Sequence, residues 1–248
     1  MAAVEVERHE HTLLVRLNRP EAGNSLNGEA GQGLADAFAA AAEDTDVRAV
    51  VFTGAGERIF CAGMDLKAFA RGEDTAPVMA GMEAMRLFPK PLVAAVNGHA
   101  LGGGFELMMF CDLVVAARHA TFGLPEVKRG LFPGGPGTRL PTRIPLAIAL
   151  EMGLTGDAVD AERAASLGLV NRVVDAADLV DAALALAGRV AANGPLATRA
   201  VKRLMLAELG DQDRARVAEE TRVVFSSEDA KEGASAFAEK RAPVWKGR

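Results

Sequence analysis

Two glutamates stand in otherwise apolar stretches of this 248-residue chain. Glu106 is followed by Leu-Met-Met-Phe, and Glu126 comes directly after Pro125, beside the short run Phe-Gly-Leu. A charge in apolar surroundings needs a partner or a chemical task. Two such carboxyl groups are what general acid–base catalysis uses, while either one could also be a salt-bridged structural residue. The pair predicts a site for proton transfer.

Three consecutive glycines, 102–104, separate a strand-like run from a helix-like run. Without Cβ atoms they let a ligand approach the backbone, and the first N–H groups of a helix lack partners within it. Those donors and the helix dipole favour an anion. The spacing excludes a dinucleotide fingerprint, because Leu107 stands where the third glycine is needed, and the Gly-Lys-Ser/Thr of a phosphate loop is missing. A purely structural role in tight helix packing stays open. A second small-residue turn, Ala62-Gly63, precedes another possible helix.

Composition narrows the class of protein. The chain has 28 Lys and Arg against 33 Asp and Glu, a net charge of −5, which excludes bulk attraction to nucleic acid or anionic lipid. Cys61 and Cys111 stand outside any CxxC or Cys/His cluster, so we expect buried, reduced thiols and no zinc site. The start is not a signal peptide, and no apolar run reaches the ~18 residues of a membrane span. We expect a cytoplasmic protein without a metal.

The elements that must position these residues form an α/β pattern. Runs 4–8 and 13–17 predict a strand pair, and Asn27 predicts the N-cap of a helix. Short runs that are apolar on both faces predict buried strands between helices; they are 49–52, 92–96, 113–116 and 169–174. Helices are predicted at 176–192, 195–209, 213–226 and 230–240. We expect an α/β core over 1–193 and a helical C-terminal oligomerisation region over 194–248.

The order and spacing of these pieces resemble the enoyl-CoA hydratase/isomerase (crotonase) superfamily over nearly the whole chain. The resemblance implies a spiral of ββα units with a helical C-terminal region that forms a homotrimer or a dimer of trimers. It also implies binding of an acyl-CoA thioester and stabilisation of an enolate by two backbone N–H groups, which match Met64 and Gly103. The segments that carry the resemblance are 18–26, 60–66, 96–112, 125–126, 137–140, 153–156, 168–171 and 232–241.

Both positions that hydratases of this superfamily fill with glutamate are glutamate here. The resemblance therefore implies addition of water across the C2–C3 bond of a 2-enoyl-CoA, with no cofactor beyond the CoA thioester substrate. Glu106 would position and help deprotonate the water, and Glu126 would supply the C2 proton. Three alternatives remain open: an enoyl-CoA isomerase, another CoA-thioester dehydratase or lyase, and a non-catalytic acyl-CoA binder. The glycine spacing disfavours a nicotinamide-dependent dehydrogenase.

The resemblance also implies contacts with CoA and the acyl group. Lys67 and Lys240 would bring cations to a phosphate, although each could simply be a solvated charge. Asp65 fits the N-cap of the next helix as well as a substrate contact. Phe237 and Lys240 would reach the CoA of a neighbouring subunit. The complete set of contact positions is Ala22, Ser25, Leu26, Ala62, Met64, Asp65, Leu66, Lys67, Gly103, Pro125, Phe237 and Lys240.

Some positions depart from the pattern or stay ambiguous. Pro136 stands where a glycine is more usual in the superfamily, which predicts a stiffer pocket wall. The methionines at 79, 82 and 85 fit the core or an adaptable acyl tunnel. His99 lies inside the glycine-rich segment, and a packing role is favoured over catalysis. The chain has no tyrosine, so mechanisms that need a phenol are excluded.

Overall fold

The structure is a computed structural model that describes residues 2–207, 222, 225–241 and 244. The predicted helix 213–226 therefore lies largely outside the described residues. Within the described ranges, no helix is long and apolar enough to cross a membrane. The cytoplasmic location stays a prediction.

The strands form two sheets. The larger sheet has the order β1-β2-β3-β5-β7-β10, and every neighbouring pair in it is parallel except β1 with β2. All six residues of β3 are buried, as expected for a parallel strand covered on both faces. The strands are β1 Val4–His9, β2 Thr12–Leu17, β3 Ala49–Gly54, β4 Ile59–Cys61, β5 Leu92–Val96, β6 His99–Leu101, β7 Leu113–Ala117, β8 Thr121–Gly123, β9 Val159–Asp160 and β10 Arg172–Val174.

The chain winds as a spiral because successive units repeat one path. In each unit a long strand enters the larger sheet and a short strand enters a second sheet of order β4-β6-β8-β9: β3 leads to β4, β5 to β6 and β7 to β8. In the second sheet, β4, β6 and β8 are parallel and β9 is antiparallel to β8. This arrangement confirms the predicted α/β class with its spiral of ββα units.

Helices follow the strands and cover the sheets. Asn27 accepts a bond from the Ala30 N–H at 3.0 Å and caps the first helix, as predicted. The helices are α1 Gly28–Glu43, α2 Leu66–Ala70, α3 Ala76–Arg86, α4 Gly103–Phe110, α5 Leu146–Thr155, α6 Ala161–Ser166, α7 Leu179–Ala191, α8 Pro195–Ala207 and α9 Glu228–Glu239, and short 3-10 turns occupy Pro20–Ala22, Pro125–Arg129, Pro136–Thr142 and Ala176–Asp178.

Two apolar clusters hold the layers together. In the first, Phe38 and Phe60 meet Phe52 edge to face, and Phe38 also meets Phe88; such aromatic pairs contribute ~0.5–1.5 kcal/mol beyond their buried area. In the second, the buried face of α7 packs on the other side of the larger sheet. Helix α7 is therefore a layer of the core.

The variable segment after residue 66 forms α2 and α3. Met85 is buried in the first cluster, Met82 is partly buried against it, and Met79 is exposed. A Cβ atom at Gly81 would stand 2.4 Å from the Gly31 carbonyl oxygen, so α3 and α1 touch backbone to backbone. Met85 is therefore a core residue.

The strands differ from the sequence-based expectations in two respects. Strand β10 covers only the end of the predicted run 169–174, because Leu169 and Val170 bond back to the Ala164 carbonyl after the left-handed Gly168. Strands β4, β6, β8 and β9 were not predicted as a sheet, because two or three residues are too few for an alternating pattern.

The C-terminal helices return to the core. In α8, Lys202 pairs with Asp112 at 2.9 Å and donates to the Lys90 carbonyl. Helix α9 packs on the Pro125–Arg129 turn and on α2. The division at 193/194 stays a prediction.

Candidate active site

Two sharp turns leave the same edge of the second sheet. Strands β4 and β6 are parallel neighbours, so the segments that follow them emerge side by side. Gly63 has φ +89° and Gly102 has φ +56°, values that favour glycine because it lacks a Cβ atom. A Cβ at Gly63 would stand 2.9 Å from the Gly103 nitrogen. The two predicted backbone-donor turns are thus in contact.

Both turns present backbone N–H groups. Leu26 donates to the Gly63 carbonyl at 2.8 Å and accepts from the Asp65 N–H at 2.9 Å, so in this parallel bridge the N–H of Met64 points to the opposite side. The Gly103 N–H is the first of α4 and has no acceptor within the helix. A Cβ at Gly103 would lie 3.6 Å from the Met64 nitrogen. Two adjacent donors of this kind can bind a developing oxyanion.

Glu106 lies in the first turn of α4 and is only 6% exposed. Its Oε1 accepts from the N–H of Gly135 at 2.8 Å and from the N–H of Gly137 at 3.1 Å. Burial raises the pKa of Glu106, and these two N–H bonds oppose that rise. Pro136 stands between the two donors and begins a 3-10 turn, where proline's missing N–H costs no bond.

Glu126 lies in the Pro125–Arg129 turn that follows β8, the other parallel neighbour of β6. A Cβ at Gly102 would stand 3.4 Å from its Oε1. Its Oε2 is buried and has no hydrogen-bond partner among the described residues. Burial, and to a smaller extent the charge of Glu106, raise the pKa of Glu126, while its own backbone N–H and Arg129 lower it; the resulting pKa is about 7. A carboxyl of this kind can hold or release a proton at neutral pH.

Helix α4 is fixed at both ends. A Cβ at Gly104 would stand 2.0 Å from the Cys61 carbonyl oxygen, so the start of the helix presses on the end of β4. At the other end, Arg143 donates to the carbonyls of Met109 and Cys111 at 3.0 and 2.7 Å. Burial lowers the pKa of Arg143. Arg143 was not predicted as a site residue, since an arginine inside a loop carries no signal of its distant partners.

The predicted CoA-side residues gather around one ion pair. Arg19 pairs with Asp65 at 3.2 Å and also donates to the Ser25 carbonyl. Asp65 Oδ1 accepts from the N–H groups of Lys67 and Ala68, which confirms the predicted N-cap. Arg19 was not predicted as a site residue, although it lies in a segment that carries the resemblance.

Loop 22–26 lies beside 62–67. The Ala62 N–H donates to the Gly23 carbonyl at 3.0 Å, and Leu26 bridges Met64. Leu26 and Ser25 are buried, so they support the loop from within. Among the other predicted contacts, Ala62 and Lys67 are exposed and Ala22, Met64, Leu66 and Pro125 are half-buried.

The predicted tail contacts lie on and next to α9. The guanidinium of Arg129 stands 4.6 Å from the ring centroid of Phe237 in the same chain. Lys240 is exposed and follows the end of α9 in the left-handed conformation. Within one chain, Phe237 therefore lies on the turn that carries Glu126. Contact of Phe237 and Lys240 with a neighbouring subunit's CoA stays a prediction.

The remaining candidates have structural surroundings. His99 is exposed on β6, and its Nδ1 lies 2.7 Å from Thr121 Oγ1 on β8. Cys61 and Cys111 are buried and free, as expected, and burial raises the pKa of the Cys61 thiol to about 12. Across residues 2–207, 222, 225–241 and 244, no group of three His, Cys, Asp or Glu is placed to hold a metal ion.

Comparison with known proteins shows the family to which the chain belongs. The chain matches the family model described as enoyl-CoA hydratase/isomerase over residues 7–248. It is 42% identical over 249 residues to the carnitinyl-CoA dehydratase of Proteus mirabilis (strain HI4320), with 95% of each chain covered. The solved carnitinyl-CoA hydratase from Mycobacterium avium has a TM-score of 0.92 at 45% identity, with 100% of both chains covered. The enoyl-CoA hydratase from Mycobacterium tuberculosis H37Rv has a TM-score of 0.81 at 49% identity, also with 100% of both chains covered.

A spiral of ββα units with two sheets is the fold of the crotonase superfamily, and its solved members share that fold with this chain. The chain belongs to the enoyl-CoA hydratase/isomerase family and is an enzyme of the hydratase type, a lyase.

Proposed function

We propose that the enzyme adds water to a 2-enoyl-CoA thioester to give a 3-hydroxyacyl-CoA, and that it removes water in the reverse direction. One observation carries the proposal: the turn at Gly102 and Gly103 that offers a backbone donor lies next to two carboxyl groups, the buried Glu106 and the half-buried Glu126. Glu106 projects from the helix that this turn begins, and Glu126 Oε1 stands beside Gly102.

In the proposed reaction, the thioester oxygen accepts hydrogen bonds from the N–H groups of Met64 and Gly103. As water attacks C3, the C2–C3 electron pair moves toward the thioester and forms an enolate, whose negative oxygen these donors stabilise. Oxyanion donors of this kind are each worth roughly 3–4 kcal/mol in the transition state. They are main-chain groups, so the side chain of Met64 contributes shape only.

The two carboxyl groups divide the proton transfers. Glu106, held at Oε1 by two N–H bonds, uses its remaining oxygen to orient the water and accept its proton; its raised pKa makes the carboxylate a stronger base. Glu126, whose pKa is about 7, is protonated in roughly half of the molecules at neutral pH, and this protonated form delivers its proton to C2. The oxygen of water bonds to C3, one proton of water goes to Glu106, and the proton of Glu126 goes to C2. Proton exchange with solvent restores both groups, and no metal or redox cofactor enters the reaction.

We propose that CoA lies along loop 22–26 and residues 62–67, with Lys67 and Lys240 supplying cations for its phosphates. Lys67 is exposed at the start of α2, beside the Met64 turn. The carnitinyl-CoA names of relatives at 42% and 45% identity favour a second candidate substrate, a carnitinyl-type thioester. Both candidates undergo the same chemistry at C2 and C3.

We further propose that the chain assembles as a homotrimer or a dimer of trimers. On α5, the exposed side chains of Leu146, Leu150 and Leu154 recur every four residues and so line one face of the helix. Helix α8 exposes further large apolar side chains. Exposed rows of large apolar side chains are typical of subunit interfaces.

The deciding experiment follows the conjugated-thioester absorbance of crotonyl-CoA, of a longer 2-enoyl-CoA and of a carnitinyl-CoA, with the product mass recorded. Gain of one water by an enoyl substrate supports the proposal, and loss of water from carnitinyl-CoA alone assigns the second candidate. Interconversion of 3-enoyl and 2-enoyl thioesters without hydration would overturn it in favour of an isomerase. Binding without any conversion would overturn it in favour of a non-catalytic binder.

A further inference from the structure

The turn that carries Glu126 is supported from outside by α9. Gly233 is buried, and a Cβ atom there would stand 1.9 Å from the carbonyl oxygen of Arg129 and 2.6 Å from its carbonyl carbon. The obstacle is backbone, so a side chain at this position cannot be accommodated by a rotamer change. The helix and the turn are therefore in direct main-chain contact at the residue that ends the turn.

The Arg129 side chain joins the two ends of that turn. Its Nη1 donates to the Pro125 carbonyl at 3.3 Å, and its guanidinium lies 4.6 Å from the ring centroid of Phe237 on α9. A guanidinium over an aromatic face is attracted by roughly 0.5–2 kcal/mol, depending on its exposure. Its Nε is buried without a hydrogen-bond partner among the described residues. Arg129 is thus held in place by its own turn and by α9.

Other charged groups near the turn face elsewhere. Lys128 pairs with Asp157 at 2.6 Å, and Glu232 of α9 pairs with Arg241 at 2.6 Å. Helix α5 also packs on the turn, and its Glu151 is exposed.

The charges that act on Glu126, in the described part of the chain, are Glu106 on α4 and Arg129 on its own turn. Glu106 raises the pKa of Glu126, and Arg129 lowers it.

We propose that Arg129, seated on Gly233 and Phe237 of α9, is a positioning residue that fixes the Glu126 carboxyl for proton transfer to C2. The inference rests on the proposed function. It makes α9 part of the catalytic apparatus of its own chain, because movement of this helix would release the turn. It also sets the proton affinity of Glu126, since the guanidinium offsets part of the rise caused by burial and by Glu106.

Two variants and a matched control test the proposal. Arg129→Met removes the charge at similar length, and Gly233→Ala pushes α9 off the turn without changing any charge. Gly188→Ala is the control, because Gly188 is also a helical glycine but a Cβ there meets no described atom within 4 Å. For each variant we would measure kcat and KM with crotonyl-CoA across pH, the melting temperature, and the 13C NMR titration of the Glu126 carboxyl, with Glu126→Gln used for assignment.

We expect Arg129→Met to lower kcat about tenfold or more with KM changed by less than about threefold. The pH above which hydration declines should rise by about one unit, and the NMR titration of Glu126 should move with it. Gly233→Ala should lower kcat in the same way, and Gly188→Ala should match the wild type. If Arg129→Met does not fold, Phe237→Leu removes the aromatic seat while leaving the charge, and it should lower kcat without the full shift in pH.

The proposal is overturned if Arg129→Met keeps the wild-type kcat and Glu126 titration. It is also overturned if Arg129→Met and Gly233→Ala lose activity only in proportion to lost folded protein. Failure of the proposed function has a different signature, because wild-type enzyme would then add no water to any enoyl thioester. In that case the NMR titration still shows whether Arg129 governs the Glu126 carboxyl.

Discussion

A Cβ atom on Gly103 would lie 3.6 Å from the backbone nitrogen of Met64. The two N–H groups expected to bind the oxyanion thus belong to segments in van der Waals contact, although they are far apart in sequence. Parallel pairing of β4 with β6 brings the segments together, and the Leu26–Met64 bridge sets the direction of one donor. The relative position of these two N–H groups is therefore set by the pairing of the backbone segments. No side chain has to reorganise when negative charge develops on the thioester oxygen.

Substitution of Gly103 tests that relationship without breaking the fold. In Gly103→Ala the new Cβ would meet Gly63 Cα at 3.4 Å and the Met64 nitrogen at 3.6 Å, ordinary contact distances. We expect a normal melting temperature but a loss of about 10²–10³ in kcat, because the methyl group fills the space beside the Met64 N–H. Gly188→Ala is the matched control, and full activity of Gly103→Ala would contradict the assignment of the donors.

Substitution of the next glycine, Gly104, should lower the stability of the fold, unlike substitution of Gly103. In Gly104→Ala the Cβ would stand 2.0 Å from the Cys61 carbonyl oxygen, which belongs to the backbone of β4 and cannot turn aside. We expect a loss of at least about 1–3 kcal/mol in the free energy of unfolding, measured by urea denaturation. A variant as stable as the wild type would show that α4 is not pressed against β4.

Removal of the Glu126 proton should stop the chemistry and spare binding. We expect Glu126→Gln to lower kcat by about 10²–10⁴, because the amide cannot deliver a proton to C2. The Kd for a saturated acyl-CoA, measured by calorimetry, should stay within about threefold of the wild type. A hydratase activity that survives this substitution would remove Glu126 from the mechanism.

The pH dependence of hydration should follow the same carboxyl. In the proposed mechanism Glu126 acts as an acid in hydration, and its pKa is about 7, so kcat/KM should fall as pH rises through about 7. The overall reaction releases and takes up no net proton, so kcat/KM for dehydration should follow the same profile, because the reactive form then carries its one proton on Glu106 instead of Glu126. Steady-state rates in both directions check this, and a hydration kcat/KM that stays constant as pH rises through about 7 would contradict the assigned role.

The same group links stability to pH. The Glu126 carboxyl titrates near 4.5 in the unfolded chain and at about 7 in the folded one, so the folded state binds more protons between those values. Its contribution to stability is therefore present below 4.5 and lost as pH rises through about 7. We expect Glu126→Gln to gain stability relative to the wild type across this window, by at most about 1.4 kcal/mol per pH unit. Urea denaturation at several pH values measures this difference in the free energy of unfolding. A difference that does not change with pH would contradict the prediction.

The exposed face of α5 should govern assembly. Leu150→Glu places a charge in the middle of the row Leu146, Leu150 and Leu154, and burial of that charge in an interface would be costly. We expect the variant to elute as a monomer in size-exclusion chromatography with light scattering, while the wild type elutes as a trimer or hexamer. As a control, Glu151→Gln changes an exposed neighbour and should leave assembly intact. A trimeric Leu150→Glu protein would place the interface elsewhere.

Local pattern accounts for much of the larger sheet and of the first helix. Continuous apolar runs predicted β3, β5 and β7, since strands buried on both faces must be apolar throughout. Asn27 predicted the start of α1, because an N-cap side chain bonds to a backbone N–H only two or three residues further along the chain. The short strands β4, β6 and β8 had no such signal. Each has only three residues, and these strands become a sheet only by pairing with one another.

The sequence by itself determined which residue types carry chemistry: two carboxyls in apolar segments and two glycine turns able to expose backbone donors. Their order along the chain was enough to indicate the superfamily. Only the tertiary structure decided the burial and the hydrogen-bond partners of each carboxyl group. Glu106 receives two N–H bonds from the loop at 135–137, while Glu126 keeps a buried oxygen without a partner among the described residues. The different tasks that we propose for them rest on those surroundings, because a pKa and a direction of approach depend on burial, neighbouring charge and distant backbone, and none of these is a local property of the chain.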